Sequence, residues 1–114
     1  MPCMILKTNI AIAENKQSDL LQQCSQLTAS ILGKPEGYVM VILEDNCRLI
    51  FGGNDQPAAY IEFKSIGLPE DTTPGLSQTL CESISDATGI AANRIYIEFA
   101  NADRHLWGWN NTTF

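Results

Sequence analysis

Apolar residues fall into short runs typical of strands, separated by two segments with the apolar spacing of amphipathic helices. The run at residues 2–10 predicts a first strand, and residues 15–32 predict a helix with one apolar face. That face consists of Leu20, Leu21, Cys24, Leu27, Thr28, Ile31 and Leu32. Gly33 supplies a left-handed end to the helix, and Pro35 cannot continue it. Residues 38–43 predict a second strand that is almost continuously apolar, so we expect it to be covered on both faces.

The same order of elements then repeats. A short strand is predicted at residues 49–51 and a full strand at residues 58–66. Thr73 and Pro74 have the character of a helix cap and a first-turn proline, and Gly89 ends that helix. The apolar stripe of this second helix consists of Leu76, Leu80, Ile84 and Ala87. Residues 94–99 predict another strand, and residues 106–109 a short one at the end of the chain.

The two halves superimpose at an offset of 56 residues, which aligns Gly33 with Gly89. Two β-α-β units with right-handed crossovers predict an α+β fold in a single domain spanning residues 1–114. Its four strands would form one mixed sheet with both helices on one face. The opposite sheet face and the sheet edges would remain open, and such surfaces favour association, so we expect a closed oligomer.

The charge and cysteine pattern excludes several classes of protein. The chain has a formal net charge of −6, and its seven Lys and Arg residues form no cluster, which argues against nucleic-acid binding. No apolar run is long enough to span a membrane and no signal peptide is recognisable, so the soluble cytoplasm is expected. The four cysteines lack a C-x-x-C spacing, which argues against a thioredoxin-like motif or a sequence-local zinc site. We expect reduced cysteines and neither a metal nor a cofactor.

Pro2 is the first candidate for chemistry. If Met1 is removed, the chain begins with a secondary amine at the start of a buried strand. Desolvation lowers the pKa of such an amine from its usual value of about 7.7–8.0, which would make it a base at neutral pH. The residues alone leave open the alternative that Pro2 reflects only start-codon processing. If Met1 is retained, Pro2 is an internal amide without basicity.

Several ordered motifs carry a resemblance to a known family. They are Pro2 at the head of an apolar strand, Gly33-Lys34-Pro35, Phe51-Gly52-Gly53, Ser65-Ile66-Gly67, Arg94-Ile95-Tyr96-Ile97 and the ending Gly108-Trp109-Asn110-Asn111-Thr112-Thr113-Phe114. In these motifs, and over essentially its whole length, the chain resembles the macrophage migration inhibitory factor family of the tautomerase superfamily.

The resemblance implies a homotrimer whose three sheets surround a central channel, with active sites between neighbouring subunits. It also implies that Pro2 is the general base in keto–enol tautomerisation of small aromatic α-keto acids such as phenylpyruvate. Lys34 would lower the Pro2 pKa and bind the substrate carboxylate or the developing enolate. The alternative for Lys34 is a cation that neutralises the carbonyls at the end of the first helix.

The resemblance assigns further residues to the pocket. Ser65 and Ile66 would line it, and Tyr96 would come from the adjacent subunit to close one wall. Tyr38, Trp109 and Phe114 would form an aromatic rim for the substrate ring, with ordinary core packing as the open alternative.

Three departures from the family pattern lower the expected activity on phenylpyruvate or shift the substrate. The C-x-x-C of the animal cytokine is missing, so its thiol–oxidoreductase activity should be absent. Glu98 replaces a neutral amide of the pocket, and its carboxylate would stabilise prolinium and repel an anionic substrate. The alternative is that Glu98 faces solvent or pairs with Arg94 or Arg104. Trp107 replaces a smaller residue and would narrow the pocket mouth.

A rival hypothesis is an interaction protein that binds a receptor and makes little use of an inherited pocket. The cytokine members of the family favour it, and leaderless secretion would then be the route out of the cell. No residue pattern identifies a receptor partner.

Overall fold

The computed structural model describes every residue, 1–114. In chain order its strands and helices are β1 (Cys3–Thr8), α1 (Glu14–Leu32), β2 (Met40–Glu44), β3 (Ala59–Ile66), α2 (Thr73–Thr88), β4 (Ile95–Ala102), β5 (Gly108–Trp109) and β6 (Thr112–Thr113). Short 3₁₀ turns occupy Glu36–Tyr38, Glu70–Thr72, Ala92–Arg94 and Arg104–Leu106.

The first four strands form one sheet in the order β2-β1-β3-β4. Strand β1 pairs parallel with β2 and antiparallel with β3, and β3 pairs parallel with β4. The sheet is therefore mixed, and each parallel pair is joined through a helix as one β-α-β unit. This confirms the predicted α+β fold and its internal repeat.

Alternate residues of the central strands are buried beneath the helices. Met4 and Leu6 on β1, and Ile61 and Phe63 on β3, are almost completely inaccessible. The helices contribute Leu20, Cys24, Leu76, Leu80 and Ile84 to the same core. Each large apolar side chain buried in this way stabilises the fold by about 1.5–3 kcal/mol. The apolar stripes read from the sequence are thus the stripes that hold both helices against one sheet face.

The helix ends follow the sequence signals with one correction. Gly33 and Gly89 have left-handed φ angles of 61° and 77°, as their positions predicted. Pro74 lies in the first turn of α2, but the cap residue is Thr72 rather than Thr73. The Thr73 hydroxyl instead donates a hydrogen bond of 3.3 Å to the Glu70 carbonyl, because the preceding 3₁₀ turn leads directly into the helix.

Two strand predictions were wrong in part. Residues 49–51 form no strand, only an isolated bridge between Phe51 and Asn54, because Gly52 and Gly53 turn the chain with positive φ. Strand β2 begins at Met40, since Pro35 leads into a 3₁₀ turn, and it is a sheet edge that is not covered on both faces. The short strand predicted near the end of the chain is the hairpin β5–β6.

The sheet face away from the helices is uncovered, as the two-layer arrangement predicted. Strand register sets its side chains in three rows: Met40-Cys3-Lys64-Ala100, Ile42-Ile5-Glu62-Glu98 and Glu44-Lys7-Tyr60-Tyr96. Two ion pairs lie on this face, Lys7–Glu44 at 3.7 Å and Lys64–Glu62 at 3.5 Å. Apolar residues of β2 remain open beside them, with Met40 60% exposed. This face therefore resembles a surface made for contact with other chains.

All four cysteines are free; Cys24 is buried and the other three are partly buried. No helix is long and apolar enough to cross a membrane.

Candidate functional site

A cavity of about 260 Å³ lies at the start of the chain. Its walls come from three separate segments, the first residues of the chain, the turn before β2, and the chain terminus. The lining residues are Met1, Pro2, Cys3, Gly37, Tyr38, Val39, Met40, Trp107, Gly108, Trp109 and Phe114. Most of them are apolar, so the cavity suits an organic ligand with an apolar body.

Pro2 is buried at the end of this cavity because the sheet holds it. Its carbonyl accepts a 3.0 Å hydrogen bond from the Met40 N–H at the start of β2. On the other side, Cys3 pairs with Lys64, which brings Ser65 level with Pro2. Ser65 and Ile66 are both buried, and the Ser65 hydroxyl donates to the Ile66 carbonyl at 3.1 Å. Neither lines the cavity, although both lie at the same end of the sheet.

Three aromatic rings form one wall of the cavity. Trp109 and Phe114 stack with centroids 5.3 Å apart and an interplanar angle of 9°. Tyr38 meets Trp109 edge-on at 5.5 Å and Phe114 at 6.1 Å. Tyr38 and Trp109 are exposed residues, so the rings pack on one another at the surface and not inside the core. Trp107 completes the mouth as a half-buried neighbour.

Local backbone geometry explains how the C-terminal rings reach this wall. Asn110 and Asn111 both have positive φ, 52° and 66°, which Asn tolerates better than most residues. They form the two-residue loop that reverses the chain between β5 and β6. The hairpin then ends with the Phe114 N–H donating to the Trp107 carbonyl at 3.1 Å.

The terminal amine in this structure belongs to Met1, one residue before the Pro2 nitrogen. Partial burial lowers the pKa of this amine, and the charges of Lys34 and Arg104 lower it further. A trans peptide separates consecutive Cα atoms by about 3.8 Å, so a chain beginning at Pro2 would carry its amine deeper in the cavity. The surroundings of the chain start therefore favour an unprotonated nitrogen.

Neither Lys34 nor Arg104 forms an ion pair with a carboxylate. The two ion pairs of the chain involve other lysines, and neither cation lines the cavity wall itself. The last carbonyls of α1 are already bonded by backbone, since the Lys34 N–H donates to Ala29 at 3.0 Å. Sequence reasoning missed Arg104 as a neighbour of the site. The available signal was its position three residues before Trp107.

Tyr96 lies at the other end of the sheet. Strand β4 starts beside Ala59, whereas Pro2 lies level with the end of β3. The Tyr96 ring packs on Phe51 with centroids 4.5 Å apart and is 63% exposed. It lines a second, mostly apolar cavity of about 200 Å³ formed by Leu49, Ile50, Phe51, Ala59, Tyr60 and Tyr96. A single chain does not bring Tyr96 to Pro2, so its assignment to the pocket stays a prediction about a neighbouring subunit.

Glu98 is also remote from Pro2 within one chain. It is exposed on the open sheet face, directly beside Glu62 in the parallel register. The suggested pairing with Arg94 or Arg104 is wrong within the chain, because neither forms an ion pair. Arg94 instead donates to the backbone carbonyls of Phe51, Gln56 and Pro57.

The charge of Glu98 affects the pKa of Tyr60 on the neighbouring strand. Loss of hydration, followed by the carboxylates of Glu98 and Glu62, raises the pKa of Tyr60. Of these two glutamates, Glu62 is paired with Lys64 and Glu98 has no ion-pair partner on the open sheet face. No group of three or more His, Cys, Asp or Glu side chains is arranged to hold a metal ion.

Comparison with known proteins gives a consistent result. The family model described as macrophage migration inhibitory factor (MIF) matches residues 1–114. The chain is 39% identical over 115 residues to a macrophage migration inhibitory factor homolog of Trichinella spiralis, covering 100% of both sequences. It is 32% identical over 118 residues to macrophage migration inhibitory factor of Mus musculus, covering 100% of this chain and 99% of the relative.

Solved structures show the same similarity in three dimensions. A macrophage migration inhibitory factor homologue from Prochlorococcus marinus superimposes with a TM-score of 0.92 at 39% identity, covering 98% of each chain. The Trichinella spiralis structure gives a TM-score of 0.92 at 38% identity, covering 98% of this chain and 99% of the other.

Proposed function

Because the chain belongs to the macrophage migration inhibitory factor family, a branch of the tautomerase superfamily, we propose that it is a keto–enol tautomerase of aromatic α-keto acids. The general base in this proposal is the secondary amine of Pro2, freed by removal of Met1. The observation that carries it is the setting of the chain start, where burial and two cations lower the pKa of the terminal amine.

The proposed chemistry is a proton transfer at carbon. In the keto-to-enol direction, the Pro2 nitrogen removes a proton from the carbon next to the keto group. The C–H electron pair becomes the C=C bond, and the keto oxygen takes up a proton from solvent. The prolinium then returns its proton to solvent, so the base is regenerated. Because the unprotonated amine is required, the rate should rise with pH through the Pro2 pKa.

Lys34 and the aromatic wall have separate roles in this proposal. The Lys34 ammonium binds the substrate carboxylate and stabilises negative charge developing on the enolate oxygen. The rings of Tyr38, Trp109 and Phe114 contact the aromatic part of the substrate. Trp107 narrows the mouth, which favours a planar ring over a branched group.

The complete site requires a homotrimer. We propose that a neighbouring subunit presents the Tyr96 end of its sheet to the Pro2 cavity and so brings Tyr96 and Glu98 to the substrate. The uncovered sheet face and the open β2 edge support this assembly, since exposed apolar strand edges favour pairing with another chain. The Glu98 carboxylate would then weaken binding of an anionic substrate, so we expect low activity on phenylpyruvate.

The test is enol-to-keto conversion of phenylpyruvate by the wild-type chain and by Pro2→Gly, each checked by intact mass. We expect the wild-type chain without Met1 to be active and Pro2→Gly to lose most of that rate. A sample that retains Met1 is the matched control, because its Pro2 nitrogen is an amide and should be inactive. Equal rates in all three samples would remove Pro2 from the mechanism.

A second candidate function is a cytokine-like interaction protein with a vestigial pocket. The carboxylate of Glu98, which forms no ion pair, favours it, since negative charge opposes the binding of an anionic substrate. For this function we propose that the protein resides in the cytoplasm and reaches its receptor by leaderless secretion. Saturable receptor binding that is unchanged by Pro2→Gly, in a protein without tautomerase activity, would support this function over the first.

A further inference from the structure

Free positive charge is scarce in this chain. The chain contains thirteen Asp and Glu residues but only seven Lys and Arg residues. Lys7 and Lys64 are ion-paired on the open sheet face, and the Arg94 guanidinium is occupied by three backbone carbonyls. Two of the cations without an ion pair, Lys34 and Arg104, lie near the chain start. An acidic protein that leaves two free cations beside one cavity has a local site for anions.

The backbone fixes Arg104 close to the cavity. Arg104 opens the 3₁₀ turn Arg104–Leu106, and its carbonyl accepts a 3.2 Å hydrogen bond from the Trp107 N–H. Trp107 lines the cavity and is tied in turn to Phe114. Arg104 is itself an exposed residue, so its side chain is open to a ligand that extends past Trp107.

Lys34, like Arg104, lies close in sequence to a 3₁₀ turn beside the cavity. It precedes the 3₁₀ turn Glu36–Tyr38, whose last two residues line the cavity. Both Lys34 and Arg104 lie near enough to the chain start for their charges to act on the amine of Met1. Two cations from separate segments can engage two separate anionic groups of one ligand.

Building on the proposed tautomerase function, we propose that Arg104 determines substrate specificity by binding a second acidic group, so that the preferred substrates are aromatic α-keto acids carrying a further carboxylate on the ring. Lys34 takes the carboxylate of the keto acid. The mostly apolar cavity of about 260 Å³ holds the ring. A charged ring substituent cannot remain in that apolar space, so it must lie at the mouth, where the planar fork of an arginine matches a carboxylate.

The kinetic test compares phenylpyruvate with para-carboxyphenylpyruvate. We would measure kcat and KM for the wild type, Arg104→Ala and Arg104→Lys, with Arg48→Ala as a control of equal charge change. For Arg104→Ala, the ratio of kcat/KM for the dicarboxylate to that for phenylpyruvate should fall about fivefold to tenfold, through KM. Arg104→Lys should keep part of the ratio, and Arg48→Ala all of it. Any effect of Arg104 on the Pro2 base is common to both substrates and cancels in the ratio.

Binding tests the same inference without turnover. The chain has two tryptophans, Trp107 and Trp109, and both line the cavity, so quenching of their fluorescence reports occupancy. Para-carboxyphenylpropionate should bind the wild type more tightly than phenylpropionate, and Arg104→Ala should abolish the difference. If no substrate is turned over but this difference is seen, the tautomerase proposal fails and the anion site remains. An unchanged preference in Arg104→Ala, or equal weakening of both ligands, overturns the role of Arg104.

Discussion

Replacing Trp109 with alanine should open the wall of the Pro2 cavity without unfolding the protein. Trp109 lies on β5, which pairs with β6 through two residues on each strand. A hairpin this short is not stable alone, so its position depends on what its side chains contact. Trp109 is one of three mutually contacting rings in the aromatic wall, and its own contacts are to Tyr38 and Phe114.

The magnitude follows from the ring geometry. Trp109 stacks on Phe114 at 5.3 Å and meets Tyr38 edge-on at 5.5 Å. Each such pair contributes about 0.5–1.5 kcal/mol beyond area burial, so the two together contribute about 1–3 kcal/mol. Since about 1.4 kcal/mol corresponds to a factor of ten, local opening of the hairpin should become roughly fivefold to a hundredfold more frequent. The sheet core is separate from these rings and should keep its stability.

Native-state hydrogen exchange measures this local opening. The Phe114 amide, bonded to the Trp107 carbonyl, should lose protection in Trp109→Ala, whereas the Ile61 amide in the sheet should not. Trp109→Phe is the matched control, since it retains a ring at the same position. In the tautomerase assay, KM for phenylpyruvate should rise more than KM for an alkyl keto acid.

Two outcomes would refute this reasoning. Wild-type protection of Phe114 in Trp109→Ala would mean that the hairpin is held by something other than the rings. A uniform loss of protection across the sheet would mean that Trp109 supports the whole fold and not one wall.

Three further substitutions test charge and burial elsewhere. Lys34→Ala removes a cation that destabilises the protonated amine. The Pro2 pKa should therefore rise and the pH–rate profile should move to higher pH, with Lys16→Ala as the remote control. Arg94→Ala leaves three backbone carbonyls without their hydrogen-bond donor. The free energy of unfolding, measured by thermal denaturation, should fall by about 1–3 kcal/mol. An unchanged free energy of unfolding would show that water replaces the guanidinium. Burial raises the pKa of Cys24 to about 11. The ordinary thiol pKa, which applies to the unfolded chain, is 9.0. The stabilisation is therefore fully present below that pH and is lost as pH rises toward 11, by about 1.4 kcal/mol near pH 10. In urea titrations Cys24→Ala should lack this alkaline loss, and an identical loss in both proteins would assign it to other groups.

The fold was largely predictable because its signals are local. Apolar stripes at helical spacing and the glycines at positions 33 and 89 placed both helices to within about a turn. The repeat predicted one four-stranded sheet with both helices on one face. The failures have local causes too. Residues 49–51 are apolar, but no strand lies beside them to pair with. The continuous apolar character of β2 was read as burial on two faces, whereas it belongs to an open edge.

The site was only partly predictable, since its parts lie far apart in sequence. Pro2 and the aromatic wall were predicted through the family resemblance, not from periodicity. Arg104 was missed as a neighbour of the site because it was considered only as an ion-pair partner of Glu98. Its relevance depends on the C-terminal segment folding back to the chain start, and that contact leaves no local pattern.

The two cavities explain why assembly and chemistry are linked in the proposed enzyme. Within one chain, the Pro2 cavity and the Tyr96 cavity lie at opposite ends of β3, because β1 runs antiparallel to β3 while β4 runs parallel to it. No movement short of unfolding the sheet can bring them together in a monomer. If Tyr96 acts at the Pro2 site, it must therefore act across a subunit boundary. Residues that hold the proposed trimer together would then also set the geometry of catalysis.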